Sequence, residues 1–141
     1  MARATLYTDG SGLGGYGIYG VSDHGRIECG GRCEYRDSVA CELYAILEGV
    51  RTCLNHWGGN IDRILVHSDS QQALKLAKNS FRNKLSTRDD LRELQQHFQV
   101  LAKQVRVDVR WVPGHQSGDS TEAYLNRKVD QIASRHNRAA F

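Results

Sequence analysis

Four acids and a histidine stand where apolar runs or glycine clusters would otherwise carry on. They are Asp9 in "ATLYTDGSG", Glu42 in "VACELYAIL", Asp69 in "ILVHSDSQQ", His115 in "WVPGHQSG" and Asp130 in "NRKVDQIA". Taken singly, the first three acids have structural explanations: Asp9 can serve a turn ahead of glycines, Asp69 can cap a helix at Ser70, and Glu42 suits a helix N-terminus. Taken together they point elsewhere. If Asp9 and Asp69 end neighbouring strands and Glu42 lies on a helix packed across them, three carboxylates meet. Like charges that close need protons or a cation to offset their repulsion. Ligands that are all oxygen, with no clustered cysteine or histidine, suit a hard ion such as Mg²⁺ or Mn²⁺ better than zinc. A carboxylate cluster of this kind can hold two ions for phosphodiester chemistry. Asp130 and His115 could face the cluster from the C-terminal side.

The elements that must bring these residues together are legible from periodicity and breakers. Residues 3–9 read as a strand, 15–22 as a second and 25–36 as a third, with "SDHG" turning between the last two, an antiparallel meander. Asp37 and Ser38 are N-cap types. Val39, Leu43, Ile46, Leu47, Val50 and Leu54 then follow at helical spacing until Gly58 and Gly59, which predicts a long amphipathic helix with Glu42 in its first turn. Residues 62–69 read as a short buried strand, followed by a helix over "SQQALKLAKN" and another over about 86–103. "VRVDVRWVP" alternates as a fifth strand, and Leu125, Val129, Ile132 and Ala133 share one face of a closing helix from about 122 to 136. The predicted order is β-β-β-α-β-α-α-β-α. That is an α/β fold, a five-stranded mixed sheet flanked by helices, antiparallel through its first three strands, with sites at the strand ends.

At 141 residues the chain is about one domain long and reads as a single domain over 1–141. With 40% hydrophobic residues, 25% charged and a single proline, little is left for a linker or disordered arm. A net charge of +3 permits a polyanionic partner without requiring one. "MARATLYTDG" has no apolar signal core, and no stretch approaches the roughly 18 apolar residues of a membrane helix, so a cytoplasmic protein away from membranes is expected. Cys29, Cys33, Cys41 and Cys53 lack zinc-ribbon spacing and are expected to be reduced structural thiols, although Cys29 and Cys33 share a strand face and leave a redox or metal role open. Trp57 and Trp111 are expected in the core.

In this order, "YTDGSG", "ACELYAIL", "VHSDSQQAL" and "WVPGHQ" followed by "NRKVDQIA" resemble the motifs of type 1 ribonuclease H, over nearly the whole chain. The resemblance implies a ribonuclease H-like fold and an endonuclease that hydrolyses the RNA strand of RNA/DNA hybrids with two divalent ions, leaving 5′-phosphate and 3′-hydroxyl ends. By motif position the metal-holding carboxylates are Asp9, Glu42, Asp69 and Asp130, with Asp9 bridging. Two Mg²⁺ ions are expected, with Mn²⁺ as a substitute, one lowering the pKa of the attacking water and one stabilising the departing 3′ oxygen. His115 matches the family's flexible-loop histidine, which assists product release or proton transfer. An exposed histidine without a role is the alternative.

The same resemblance suggests substrate contacts. Gln71 matches the family's glutamine beside the second aspartate, where 2′-hydroxyls separate RNA from DNA. Gly10, Ser11 and Gly12 would let backbone groups approach the RNA strand, with a plain hairpin turn as the alternative. Asn126 falls on the asparagine of the family's "GN" pair, after Leu125 rather than glycine, and is expected to order the loop. Ser38, where many relatives carry asparagine, could contact a sugar or cap the helix. His115 and Asp130 are fifteen residues apart, a spacing similar to the retroviral branch. The basic protrusion of well-known bacterial members is missing. Lys75, Lys78, Arg82, Lys84 and Arg88 could offer phosphate contacts in its place, or form a solvated face.

Two rivals stand beside this reading. One is another nuclease of the wider superfamily, a resolvase or an integrase-type enzyme, which the order of the acids disfavours. The other is a catalytically silent module that binds hybrids or supports a polymerase, which the presence of all four acids disfavours. The chain is expected to act as a monomer.

Overall fold

The computed structural model describes residues 2–138, so the ends of the expected 1–141 unit, Met1 and residues 139–141, lie outside the described residues. The meander consists of β1 (Ala2–Gly10), β2 (Gly15–Ser22) and β3 (Gly25–Arg32). It is followed by α1 (Ser38–Trp57), a 3₁₀ turn at Gly58–Asn60, β4 (Ile61–Ser68), α2 (Gln71–Phe81), α3 (Asp89–Leu101), β5 (Arg106–Trp111) and α4 (Thr121–Arg135). The sheet runs β3-β2-β1-β4-β5. β1 pairs antiparallel with β2 and parallel with β4, and β4 pairs parallel with β5. A mixed sheet follows from the connections, because a short turn returns a strand antiparallel whereas a helical crossover returns it parallel.

Several boundaries differ from expectation, each for a local reason. β3 stops at Arg32 rather than 36, because the Arg138 guanidinium takes the carbonyls of Cys33 and Tyr35 at 2.8 and 2.7 Å and turns the chain towards α1. Asp37, not Ser38, caps α1, its Oδ2 accepting the Ala40 N–H at 3.0 Å. Glu42 therefore lies past the first turn. β4 ends at Ser68, so Asp69 lies just beyond the strand, and the Ser70 hydroxyl caps α2. α3 begins at Asp89 rather than about 86, since the Ser86 amide is held by Oε1 of the buried Gln95 at 2.7 Å.

Strand alternation divides the residues between two faces. Leu6, Ile18, Ile64 and Val66 meet Leu43, Ile46, Leu47 and Val50 of α1, with Leu94 and Phe98 of α3 behind them, in the main core. Tyr7 faces the other way and packs with Leu125 and Val129 of α4. Close seating of α4 on β2 requires glycine, since a Cβ at Gly17 would overlap the Val129 carbonyl and crowd Ile132. A Cβ at Gly20 would meet Cys53 Sγ at 3.4 Å, an ordinary contact. Gly17→Ala should therefore lower stability by about 1–3 kcal/mol in urea unfolding, the usual range for overpacking. Gly20→Ala should be neutral within about 1 kcal/mol. Equal midpoints for the two variants would remove the packing argument for Gly17.

Candidate active site

Asp9 is the penultimate residue of β1, and the parallel register pairs Tyr7 with His67. Two residues further along each chain, Asp9 and Asp69 come level at the C-terminal ends of adjacent strands. Glu42 arrives from α1 around the sheet end. Its approach depends on Gly10, where a Cβ would lie 2.5 Å from the Cys41 carbonyl oxygen and 2.7 Å from the Glu42 nitrogen. Asp9, Glu42 and Asp69 each offer a carboxylate oxygen, and these lie within 4.8 Å of one another. Asp9 and Glu42 are only 6% and 8% exposed, whereas Asp69 is half-buried.

The ordinary explanations for these acids weaken here. Helix capping falls to Asp37 and Ser70, leaving Asp69 free of that duty. Glu42 Oε2 is buried without a hydrogen-bond partner among the described residues. Burial, then the charges of Glu42 and Asp69, push the Asp9 carboxyl far above the usual carboxylate range, and Asp130 adds in the same direction. Burial also raises Glu42, to about 7, with Asp69 adding to the shift, while hydrogen bonds from Asp9, Gly10 and Ser68 act against it. The metal-free cluster therefore retains a proton at neutral pH.

The remaining expected residues sit around this centre. Asp130 is exposed on α4 and outside the 4.8 Å group, yet near enough to add to the rise of the Asp9 carboxyl. His115 is exposed on the loop after β5, in the left-handed region with φ +55. Its neighbour Gly114 packs against Asp69, where a Cβ would lie 2.7 Å from Oδ2. Gln71 is the exposed first residue of α2, next to the site. Gly10 faces α1, Ser11 Oγ accepts the Leu13 amide at 3.0 Å within a tight turn, and Gly12 lies beside exposed Ser38. Asn126 is 4% exposed on the inner side of α4, with Oδ1 unpartnered among the described residues.

Trp111 departs from expectation. It is 47% exposed, and its indole N–H donates to the Asp69 carbonyl at 3.3 Å, so it braces the site rather than filling the core. Alternation with Val107 and Val109 along β5 places Trp111 on the core-facing side, and it is exposed because the strand ends there. Trp57 is buried. All four cysteines are free; Cys33 and Cys41 lie buried with their sulfurs 3.5 Å apart, where the shared hydrogen bond lowers Cys33 to about 6 and raises Cys41. A cleft of about 1120 Å³ opens at the other end of the sheet between Gly58, Phe81, Gln99 and Val105, away from the acids.

The RNase H family profile matches residues 1–138. The chain belongs to the RNase H family. As a ribonuclease H it is an enzyme that cuts RNA paired to DNA. No curated protein sequence matches it. Among solved structures it is similar to RNase H1 of the halophilic archaeon Halobacterium salinarum, at 20% identity and TM-score 0.71, covering 95% of this chain and 96% of that one. LC11-RNase H1 in complex with RNA/DNA hybrid matches at 12% identity and TM-score 0.72, over 95% of this chain and 96% of that one. The prototype foamy virus protease-reverse transcriptase matches at 15% identity and TM-score 0.74, over 100% of this chain and 21% of that one. At these identities the likeness is one of fold. Among the described residues no helix is long and apolar enough to cross a membrane.

The cluster of this ribonuclease H fits divalent metal. Its donors are all carboxylate oxygens, and Glu42 Oε2 is a buried acceptor lacking a donor among the described residues. An unfolded Asp ionises near pH 3.9, about the usual value. Folded, metal-free Asp9 holds its proton well above that, so over the interval the native state binds more protons than the unfolded chain. The contribution of Asp9 to stability is therefore fully present below about pH 4 and is lost as pH rises. In chelator, the melting temperature should fall between about pH 5 and 8, and fall less for Asp9→Asn, which removes the repulsion. Mg²⁺ should raise wild-type melting at pH 8 more than that of the variant. Identical pH profiles for the two proteins would count against a repulsive cluster.

Proposed function

We propose that this chain, acting as one domain and as a monomer, hydrolyses the RNA strand of RNA/DNA hybrids with two divalent ions, Mg²⁺ foremost, leaving 5′-phosphate and 3′-hydroxyl ends. The observation that carries the reading is the convergence of Asp9, Glu42 and Asp69 from two neighbouring strands and a helix. Family membership and the likeness to a hybrid-bound RNase H1 support the substrate class. When bound, ions at such a cluster would supply an activated water and offset the charge growing on the departing 3′ oxygen.

The chain's own residues divide the remaining work. Asp9, flanked by Glu42 and Asp69, is the ligand suited to sharing between two ions, and Asp130 would complete one site from outside. His115, exposed next to Gly114, which packs on Asp69, is suited to exchanging a proton with the product or easing its release. Exposed Gln71 and Ser38 and the half-buried Ser11–Gly12 turn form a rim where sugar hydroxyls could be read. Among the basic residues of 75–88, Arg88 is already paired with Asp37 and Asp90 at 3.3 and 2.7 Å. Lys75, Lys78, Arg82 and Lys84 are the exposed cations offered to phosphates.

The test presents one end-labelled RNA as hybrid, duplex RNA and single strand beside an all-DNA control, with Mg²⁺, Mn²⁺ or chelator. Metal-dependent cutting of RNA only in the hybrid is expected, and tight binding without cutting would turn the reading to a silent module. Asp9→Asn should lose at least roughly 10³-fold in turnover, the equivalent of several kcal/mol of metal stabilisation. His115→Ala should lose about 10²-fold in turnover with little change in KM. Lys75→Gln should flatten the salt dependence of hybrid binding by a slope of about one. An unchanged slope would remove Lys75 from the phosphate contacts.

A further inference from the structure

The loop between β5 and α4 is anchored at both ends and at one point between. At its start the Val112 amide donates to the Ser68 carbonyl at 2.9 Å, extending the β4-β5 pairing. At its end Ser120 caps α4 by accepting the Ala123 amide at 3.1 Å, and Glu122 is paired with Arg110 of β5 at 3.3 Å. Between them, the two terminal nitrogens of Arg127 donate to the carbonyls of Gln116 at 3.0 Å and Gly118 at 3.1 Å. A planar guanidinium suits this task because its fork spans two acceptors at once.

His115 adopts the left-handed region, which a non-glycine residue keeps only where its surroundings over-determine it. Its two neighbours are both held. Gly114 packs on the Asp69 carboxylate, and Gln116 is tied to Arg127. Arg127 lies on α4 three residues before Asp130, so the helix that carries the fourth acid also binds the loop on the C-terminal side of the histidine.

We propose that Arg127 is a positioning residue that fixes the loop carrying His115, whose neighbour Gly114 packs on Asp69. The inference rests on the reading of His115 as a participant in turnover. The carbonyls that Arg127 binds belong to an exposed loop and could bond water instead, so losing the guanidinium should loosen the loop without unfolding the chain.

The experiment combines hydrogen exchange with kinetics on wild type, Arg127→Ala, His115→Ala and the double variant. Exchange in peptides spanning 112–120 should quicken in Arg127→Ala, with sheet peptides and melting temperature unchanged. Turnover of the hybrid should fall about tenfold or more at nearly constant KM, as displaced catalytic groups do. The double variant should be no slower than His115→Ala, since residues acting through one group are not additive. Losses that multiply in the double variant would overturn the proposal while leaving the ribonuclease reading standing. So would unchanged loop exchange in Arg127→Ala. Wild-type turnover in His115→Ala would overturn both the proposal and the role of His115. A wild-type protein that cuts no hybrid would sink the ribonuclease reading, and loop exchange would still decide whether Arg127 holds the loop.

Discussion

Three carboxylates within 4.8 Å of one another, two of them almost fully buried, are an arrangement that folding alone would not favour. Burial and mutual repulsion both act against their ionised forms. Everything nearby is arranged to tolerate that contact rather than relieve it. β1 and β4 run parallel and adjacent, so their acids arrive at the same end of the sheet. Gly10 removes the side chain that would hold α1 away, and Asp37 fixes where α1 begins. The hydrophobic layers on both sheet faces offset the cost, since Leu6 and Tyr7, three and two residues before Asp9, sit in different cores.

The site is graded from a rigid interior to an adjustable rim. Asp9 and Glu42 are carried on a central strand and the longest helix, held by packing on every side. Asp130 and His115 stand on α4 and its loop, exposed and reached through fewer contacts. Groups that must meet a metal gain from a fixed frame, whereas groups that meet a substrate and release a product gain from local freedom. Trp111 joins the two tiers, as its indole braces the Asp69 backbone from the strand that leads into the loop.

A modest net charge shifts the burden of duplex recognition onto the placement of individual residues. Arg88 illustrates the difference between counting and placement, since its pairing with Asp37 and Asp90 ties α3 to the start of α1 and spends its charge on the fold. Gln95 does similar internal work: its side chain holds the Ser86 amide and the carbonyls of Leu76 and Lys84, ordering the segment where a larger protrusion could stand.

Element order, the sheet's mixed character and the identity of the acids were legible from the sequence because alternation, helical spacing and glycine breakers are local properties. The motif order carried the family in the same way. Other features needed the fold. Residues 33–37 leave the sheet because Arg138, a hundred residues away, claims their carbonyls. Trp111 is exposed and Asn126 buried because strand β5 ends at the site and α4 turns its inner face to the sheet. Arg127 looked like one more surface cation until the loop carbonyls lay beneath it. Local patterns can name a residue's element and chemistry, but which groups share a space depends on contacts between distant parts of the chain, and those exist only once the sheet has closed.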